Sequence, residues 1–203
     1  QPTTLAQGTE TEISVKNRVV SLLLTSVQVH KEMYKPGCLE VTLETNAMLS
    51  DFCGQVTLHY RPEDNDSNKK YAVASTYHIF EKKKKGRYVT LKAYSVDKFL
   101  TIDKFSQAFT GKLLVDEIIE GTLAKYKVKV FCDNVTRVEN GYSDIANLRH
   151  LKSDSAIEPS LPYNVQFEES FYDFLVRICN RNGEFLYVED NKLHIGIPEA
   201  TAD

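Results

Sequence analysis

The chain has 203 residues, enough to bury a substantial hydrophobic core, and a formal net charge of −3 at pH 7. This near balance of charge indicates neither a nucleic-acid-binding protein nor a strongly acidic one. With 42% hydrophobic and 26% charged residues, the composition is that of a folded globular protein and excludes a disordered chain.

Neither a membrane span nor an export signal is predicted. The longest apolar stretch, residues 19–29, is interrupted by polar residues and is too short to cross a bilayer. The chain starts with QPTTLAQGTETE, which is polar and acidic, unlike a signal peptide. The cysteines form no CxxC pair, which predicts reduced, mostly buried thiols in a cytosolic protein. They are Cys38, Cys53, Cys132 and Cys179.

The first half of the chain has the alternating pattern of β-strands. Apolar residues alternate with polar ones over 39–44, as in a half-buried strand, and again over 56–60. Between residues 20 and 29 the apolar positions change parity. This slip predicts a β-bulge near Thr25 and Ser26, which would bend the strand.

A polar loop, residues 61–70, precedes a predicted hairpin. Its strands are residues 71–80 and 87–94, and a charged connection, EKKKKG at 81–86, joins them. The lysine run at 82–85 favours a solvated hairpin tip over a patch for an anionic partner, because no aromatic residue is interleaved with it.

The second half mixes helices and strands. Residues 111–126 predict a helix and 127–132 a short strand, whereas 133–162 is irregular with a short helix expected at 143–151. The C-terminal segment gives a clear prediction of a strand, 165–167, followed by a helix that starts after Ser170. Its expected buried stripe is Phe171, Phe174, Leu175, Ile178 and Cys179.

The ends of this helix and the segment after it are also predicted. Asp173 stands three residues after Ser170, which is the spacing of a capping box, and Asn182-Gly183 is expected to end the helix. Strands 185–188 and 193–195 then form a hairpin about Asp190-Asn191.

No spacing in the sequence assembles an active site. The histidines show no HExxH pattern or helical i, i+4 pair, and nucleophile-elbow, Walker and dinucleotide-binding patterns are absent. Glu168 and Glu169 precede a helix, where negative charge is favoured without any acid–base role, and a Cys53–His59 pair has no supporting context. We therefore expect no catalytic residue, no cofactor and no metal site.

The segment 162–175, PYNVQFEESFYDFL, followed by Gly183, resembles the most recognisable stretch of the VgrG family of type VI secretion spike proteins. That stretch has the form V-Q-Y-x-E-S-x-x-D-F-L. Weaker matches at 51–58, 88–100 and 105–119 extend the resemblance over most of the chain, although the lysine run departs from it. The residues that carry the match are Val165, Gln166, Phe167, Glu169, Ser170, Asp173, Phe174, Leu175 and Gly183.

The resemblance implies an α+β, mainly β fold. Residues 1–105 would form a β-barrel-like domain, as in phage tail hubs, and residues 106–203 a smaller α+β domain. The second domain is expected to be incomplete, because family members continue into an OB-like domain and a β-helix needle.

The resemblance also implies a structural role rather than catalysis. The protein would be a hub or spike component of a contractile injection apparatus, linking a tube to a membrane-puncturing needle. Expected partners are two further copies in a homotrimer, a hexameric tube protein, baseplate subunits and effector proteins, with no nucleic acid. It would assemble in the cytoplasm and leave the cell when the sheath contracts, meeting the target membrane only through the spike.

Three alternatives remain open at this stage. A phage or pyocin-like tail baseplate hub would share the fold. A stand-alone sugar- or peptide-binding β domain would be a monomer with an aromatic-lined pocket. An enzyme would bring titratable groups with shifted pKa values together in one cleft, and no residue spacing supports it.

Overall fold

The computed structural model describes residues 7–15, 18–60, 73–109, 135–137, 164–181, 185–189 and 191–196. The chain divides into two units, Gln1–Ser95 and Val96–Asp203. The sequence-based domain limits, 1–105 and 106–203, would instead cut through the strand at 104–109, and they stay a prediction.

The described residues of the first unit form six strands in one antiparallel sheet, in the order β1-β2-β3-β6-β5-β4. The sheet curls as a half-barrel. A 3₁₀ turn, Leu49–Asp51, precedes β4. The strands are β1 Glu10–Val15, β2 Arg18–His30, β3 Cys38–Thr45, β4 Gln55–Tyr60, β5 Val73–Lys85 and β6 Tyr88–Tyr94.

Alternation along the strands builds the core of this unit. Leu39, Val41 and Leu43 of β3 are buried while their neighbours lie half-exposed, which confirms the predicted period of two. The directly opposed residues of β6, Ala93, Leu91 and Val89, are buried as well. Each such pair covers one face of the sheet with apolar side chains, and this apolar burial is the main favourable term for the fold.

The predicted bulge in β2 is confirmed. The register between β2 and β3 shifts between Leu24 and Ser26, so the extra residue is Thr25. Its hydroxyl donates to the carbonyl oxygen of Thr42 at 2.9 Å. The bulge returns Val27 to the core-facing side, because Val27 stands opposite the buried Val41.

The prediction for the hairpin connection was wrong. Residues 81–85 are part of β5 and not a loop, because they pair with residues 92–88 of β6. A register shift between Ile79 and Glu81 precedes them, and Gly86 makes the turn with a φ of 61°. The polar loop predicted at 61–70 lies outside the described residues.

In the part that the structure describes, the second unit has its own core around the α-helix α1, Phe171–Arg181. A 3₁₀ segment, Val96–Thr101, packs with it. The predicted helical stripe is confirmed, because all five of its residues are buried at 2% exposure or less. The strands are β7 Lys104–Phe109, β8 Val135–Arg137, β9 Asn164–Ser170, β10 Phe185–Glu189 and β11 Lys192–Gly196.

The described residues of this unit also form two small sheets. β7 pairs with β9, and β11 lies between β10 and β8, antiparallel to the first and parallel to the second. The predicted C-terminal hairpin is confirmed, and Asn191 takes the left-handed conformation that its turn requires, with a φ of 59°. The helix at 111–126, the strand at 127–132, the helix at 143–151 and the stop at Gly183 all fall outside the described residues.

The predicted fold class, α+β and mainly β, is confirmed by these elements.

Candidate functional site

The segment that resembles the VgrG family, residues 162–175, contains β9 and the start of α1. Its strand contains a bulge. The register with β7 passes from the pair Gln107–Gln166 to the pair Phe105–Glu169. Two residues of β9 therefore stand opposite the single residue Ser106. A bulge of this kind breaks the alternation of the strand and lets two consecutive side chains leave the core.

Phe167 and Glu168 are those two residues. Glu168 has a φ of 48°, a left-handed conformation that residues with a side chain rarely adopt. Its backbone N–H donates to the Ser106 hydroxyl oxygen at 3.1 Å, which holds the bulge in place. Phe167 is 69% exposed, so this motif residue contributes little to the core of the unit.

Gln166 is fully buried and its amide has a partner at each end. Gln107 Nε2 donates to Gln166 Oε1 at 2.8 Å, and Gln166 Nε2 donates to the backbone oxygen of Glu169 at 2.9 Å. A buried amide without such partners would destabilise the fold. Gln166 therefore connects β9 to β7 and also holds the end of β9, at Glu169, next to the helix.

Ser170, the last residue of β9, caps α1. The backbone N–H of Asp173 donates to Ser170 Oγ at 3.1 Å, as the sequence predicted. The second bond differs from the usual capping box, because Ser170 Oγ donates to Asp173 Oδ2 at 2.6 Å. Asp173 also lies in the first helical turn, where a carboxylate interacts favourably with the helix dipole.

Arg177 is the residue of this site that sequence reasoning missed. Its guanidinium forms an ion pair with the Glu169 carboxylate and donates from Nη2 to the backbone oxygen of Val165 at 2.7 Å. It also lies over the Phe174 ring, 5.4 Å from the centroid. Nothing local in the sequence indicates these partners, because Val165 and Glu169 lie 12 and 8 residues before Arg177.

The aromatic motif residue Phe174 is at the centre of the second core. Its ring stacks on Phe109 of β7 at 5.4 Å and on Phe171 at 5.8 Å between centroids. Leu175, also a motif residue, is fully buried beside it. The Phe109 contact fixes the helix against β7, which pairs with the motif strand β9.

Tyr172, next to the cap, is 3% exposed. Burial raises the pKa of its phenol far above the ordinary value, and the nearby carboxylates of Asp97 and Asp173 raise it further. The hydroxyl is therefore neutral over the whole physiological pH range, and it has no property of a general base.

These contacts connect β9 to the first turns of α1, residues 165–177, and we call this region the strand-to-helix joint. Of the adjacent carboxylates, Glu169 is engaged by Arg177 while Glu168 lies exposed on the bulge, so the two do not form an acid–base pair. The described residues contain no group of three or more His, Cys, Asp or Glu that could hold a metal ion. Gly183, the last motif residue, lies outside the described residues.

The expectation that the cysteines are mostly buried was only partly right. Cys179 is fully buried, but Cys38 is half-buried and Cys53 is exposed, and all three are free thiols. Within the described part of the chain, no helix is both long and apolar enough to cross a membrane.

Solved structures were the comparison in which matches to this chain were found. No family model matches the chain, and no curated protein matches it. Among solved structures, it is similar to the 43 kDa tail protein of prophage MuSo2 from Shewanella oneidensis, with a TM-score of 0.47 and 10% sequence identity. The match covers 93% of this chain and 52% of that protein, so the chain spans about half the length of the tail protein.

Proposed function

We propose that this chain is a non-catalytic structural component of a tail-like contractile injection apparatus. The observation that carries the proposal is that the polar motif side chains are hydrogen-bonded within their own part of the fold. Gln166, Ser170 and Asp173 satisfy their hydrogen bonds within the strand-to-helix joint. A segment whose polar groups are used in this way stiffens the fold and leaves little for a substrate.

Stiffness is the property that such an apparatus requires. A hub passes the force of a contracting sheath from a tube to a needle, so its subunits must move as rigid bodies. The joint supplies rigidity because part-buried hydrogen bonds and stacked rings hold α1, β7 and β9 together at several points.

The finer proposal is a type VI secretion spike protein of the VgrG kind. It rests on the sequence resemblance of residues 162–175. On this proposal the partners are two further copies in a homotrimer, a hexameric tube protein, baseplate subunits and effector proteins. Assembly takes place in the cytoplasm, and sheath contraction carries the protein out of the cell. A phage or pyocin-like baseplate hub is the alternative within the same structural class.

The native mass of the complete gene product, measured by sedimentation over a range of concentrations, tests the proposal. We expect a trimer that co-purifies with tube protein from cells that produce the apparatus. A gene product that stays monomeric at every concentration and binds no tube protein would contradict the hub and favour a stand-alone binding domain. Deleting neighbouring sheath genes separates the two hub alternatives, because only a secretion hub needs them for export.

A further inference from the structure

One continuous row of opposed residues crosses the outward face of the first-unit sheet. It runs from Glu10 on β1 through Leu23, Glu44 and Tyr88 to Lys85 on β5. Directly opposed residues of neighbouring antiparallel strands share a face, so Glu10 and Lys85 lie on the same side of the sheet. The row therefore carries a carboxylate at one end and an ammonium at the other.

Each end carries a second charge of the same sign. Glu12 stands two residues after Glu10, and Lys83 two residues before Lys85, so each pair projects from one face. Both pairs have the same spacing, about 7 Å along the strand for two residues. All four side chains are exposed.

The other two lysines of the run face the opposite side and are used within the fold. Lys82 and Lys84 stand opposite the buried Leu91 and Val89. Lys82 Nζ donates to the backbone oxygen of Phe52 at 2.9 Å, and Lys84 Nζ donates to that of Ala47 at 2.6 Å. These bonds hold the strand to the turn before β4 and leave only the outward lysines for a partner.

Charges in the middle of the outward face are matched, whereas those at its ends are not. Arg87 pairs with Glu44 at 3.4 Å, and Lys92 stands between Glu40 and Glu81 on the neighbouring strands. Among the described residues, no ion pair or hydrogen bond is formed by Lys83, by Lys85 or by the Glu12 carboxylate, and Glu10 accepts only from the Ser21 hydroxyl.

As far as the structure describes the chain, the backbone is open at the same two places. Within the described residues, β1 pairs along its length with β2 alone, and β5 beyond Ile79 pairs with β6 alone. An unpaired strand edge readily accepts another strand, and lysines on such an edge discourage partners that lack matching negative charge.

We propose that the Glu10/Glu12 pair of one copy docks on the Lys83/Lys85 pair of a second copy, edge to edge. This inference rests on the proposed function and names the surface through which copies of the chain associate. The contact is heterologous, since it joins two different patches, and contacts of that kind close into rings or run on as filaments. Matching charges at equal spacing set its register and exclude other partners.

Zero-length carbodiimide cross-linking of the 203-residue chain tests the contact directly. An equimolar mixture of ¹⁴N- and ¹⁵N-labelled chain, near 1 mM protein, reveals intermolecular links as peptides of mixed isotope. We expect links between the Glu10/Glu12 peptide and the Lys83/Lys85 peptide at about 0.05 M NaCl and few at about 0.5 M, because salt screens exposed charges. Links Glu10–Lys85 and Glu12–Lys83 indicate antiparallel strands; Glu10–Lys83 and Glu12–Lys85 indicate parallel ones.

Charge exchange makes the test specific. Lys83→Glu with Lys85→Glu, or Glu10→Lys with Glu12→Lys, should each weaken self-association by about tenfold or more, and mixing the two variants should restore it. Lys31→Glu with Lys35→Glu is the matched control, with the same change of charge away from both pairs, and should have no effect. Circular dichroism of every variant confirms that it is folded.

The outcomes separate this surface from the function. No mixed-isotope link between the two pairs, or no recovery on mixing the variants, overturns the proposed surface. If the complete gene product is nevertheless a trimer, the proposed function stands without it. If the gene product is a monomer and no links form, both proposals are wrong.

Discussion

Arg177 and Glu169 are joined across the strand-to-helix joint, with the guanidinium on α1 bonded to the carboxylate at the end of β9. The same guanidinium donates to the Val165 carbonyl at 2.7 Å. One side chain thus connects the helix to both ends of the short strand. The side chains are 39% and 23% exposed, so solvent weakens the ionic part of the contact, and the hydrogen bonds matter more.

Replacing Arg177 by Met should therefore destabilise the second unit. Met keeps much of the side-chain volume over Phe174 and removes every donor, and bonds to charged groups are worth about 1.5–3 kcal/mol each before solvent screening. We expect a loss at the low end, about 1–2 kcal/mol, in urea unfolding. Lys at this position should recover less than half of the lost free energy of unfolding, because it lacks the planar guanidinium that binds two acceptors. An unchanged unfolding midpoint for the Met variant would show that the joint does not depend on Arg177.

Gln166→Leu and Gln107→Leu should affect stability non-additively. The Gln166 change removes the acceptor of Gln107 Nε2 and the donor to the Glu169 backbone oxygen. We expect it to lower the free energy of unfolding by about 1–3 kcal/mol. The double change removes both side-chain amides and is expected to be less destabilising than the sum of the single changes. A double-mutant cycle measured by thermal unfolding checks this, and strict additivity would argue against the amide pair.

Ser170→Ala should cost about 1 kcal/mol by removing the helix cap. Ser170→Thr keeps the hydroxyl that Asp173 requires and serves as the control, although its extra methyl enters a site that is 2% exposed. Urea unfolding followed at 222 nm reports the loss. Equal stability of the Ala variant and the natural chain would mean that Asp173 does not use this cap.

Tyr172 predicts a fall in stability at alkaline pH. Burial raises the pKa of its phenol in the folded state above the ordinary value near 10, so the folded protein holds the proton more tightly than the unfolded chain does. The contribution of the protonated Tyr172 phenol to the free energy of unfolding is therefore complete below about pH 10 and decreases as pH rises beyond that value. We expect the unfolding free energy to drop between about pH 10 and 11, and to drop less in Tyr172→Phe. Parallel curves for the two proteins would contradict the assignment to Tyr172.

Local patterns predicted much of this fold correctly. The alternation at 39–44 and the helical stripe from Phe171 to Cys179 depend only on neighbouring residues, because a buried face must repeat with the period of its own strand or helix. The slip of parity near Thr25 predicted the bulge for the same reason. Ser170 was recognised as a cap because its partner is three residues away.

Predictions failed where the outcome depended on residues far away in the sequence. The lysines at 82–85 look like a solvated turn, yet β6 provides a ladder of partners that makes them a strand. Arg177 showed no sign of its role, because its acceptors at Val165 and Glu169 come together only when the helix folds back over β9.

The sequence by itself determined most of the strands, though not β1, β7 or β8. It also determined the helix α1, the bulge in β2 and the motif, since each follows from spacing along the chain. Only the tertiary structure decided which of four consecutive lysines face the fold and which face solvent, and that Phe167 lies outside while Gln166 is buried. The physical reason is that cross-strand register sets the direction of each side chain, and a register is a relation between distant segments.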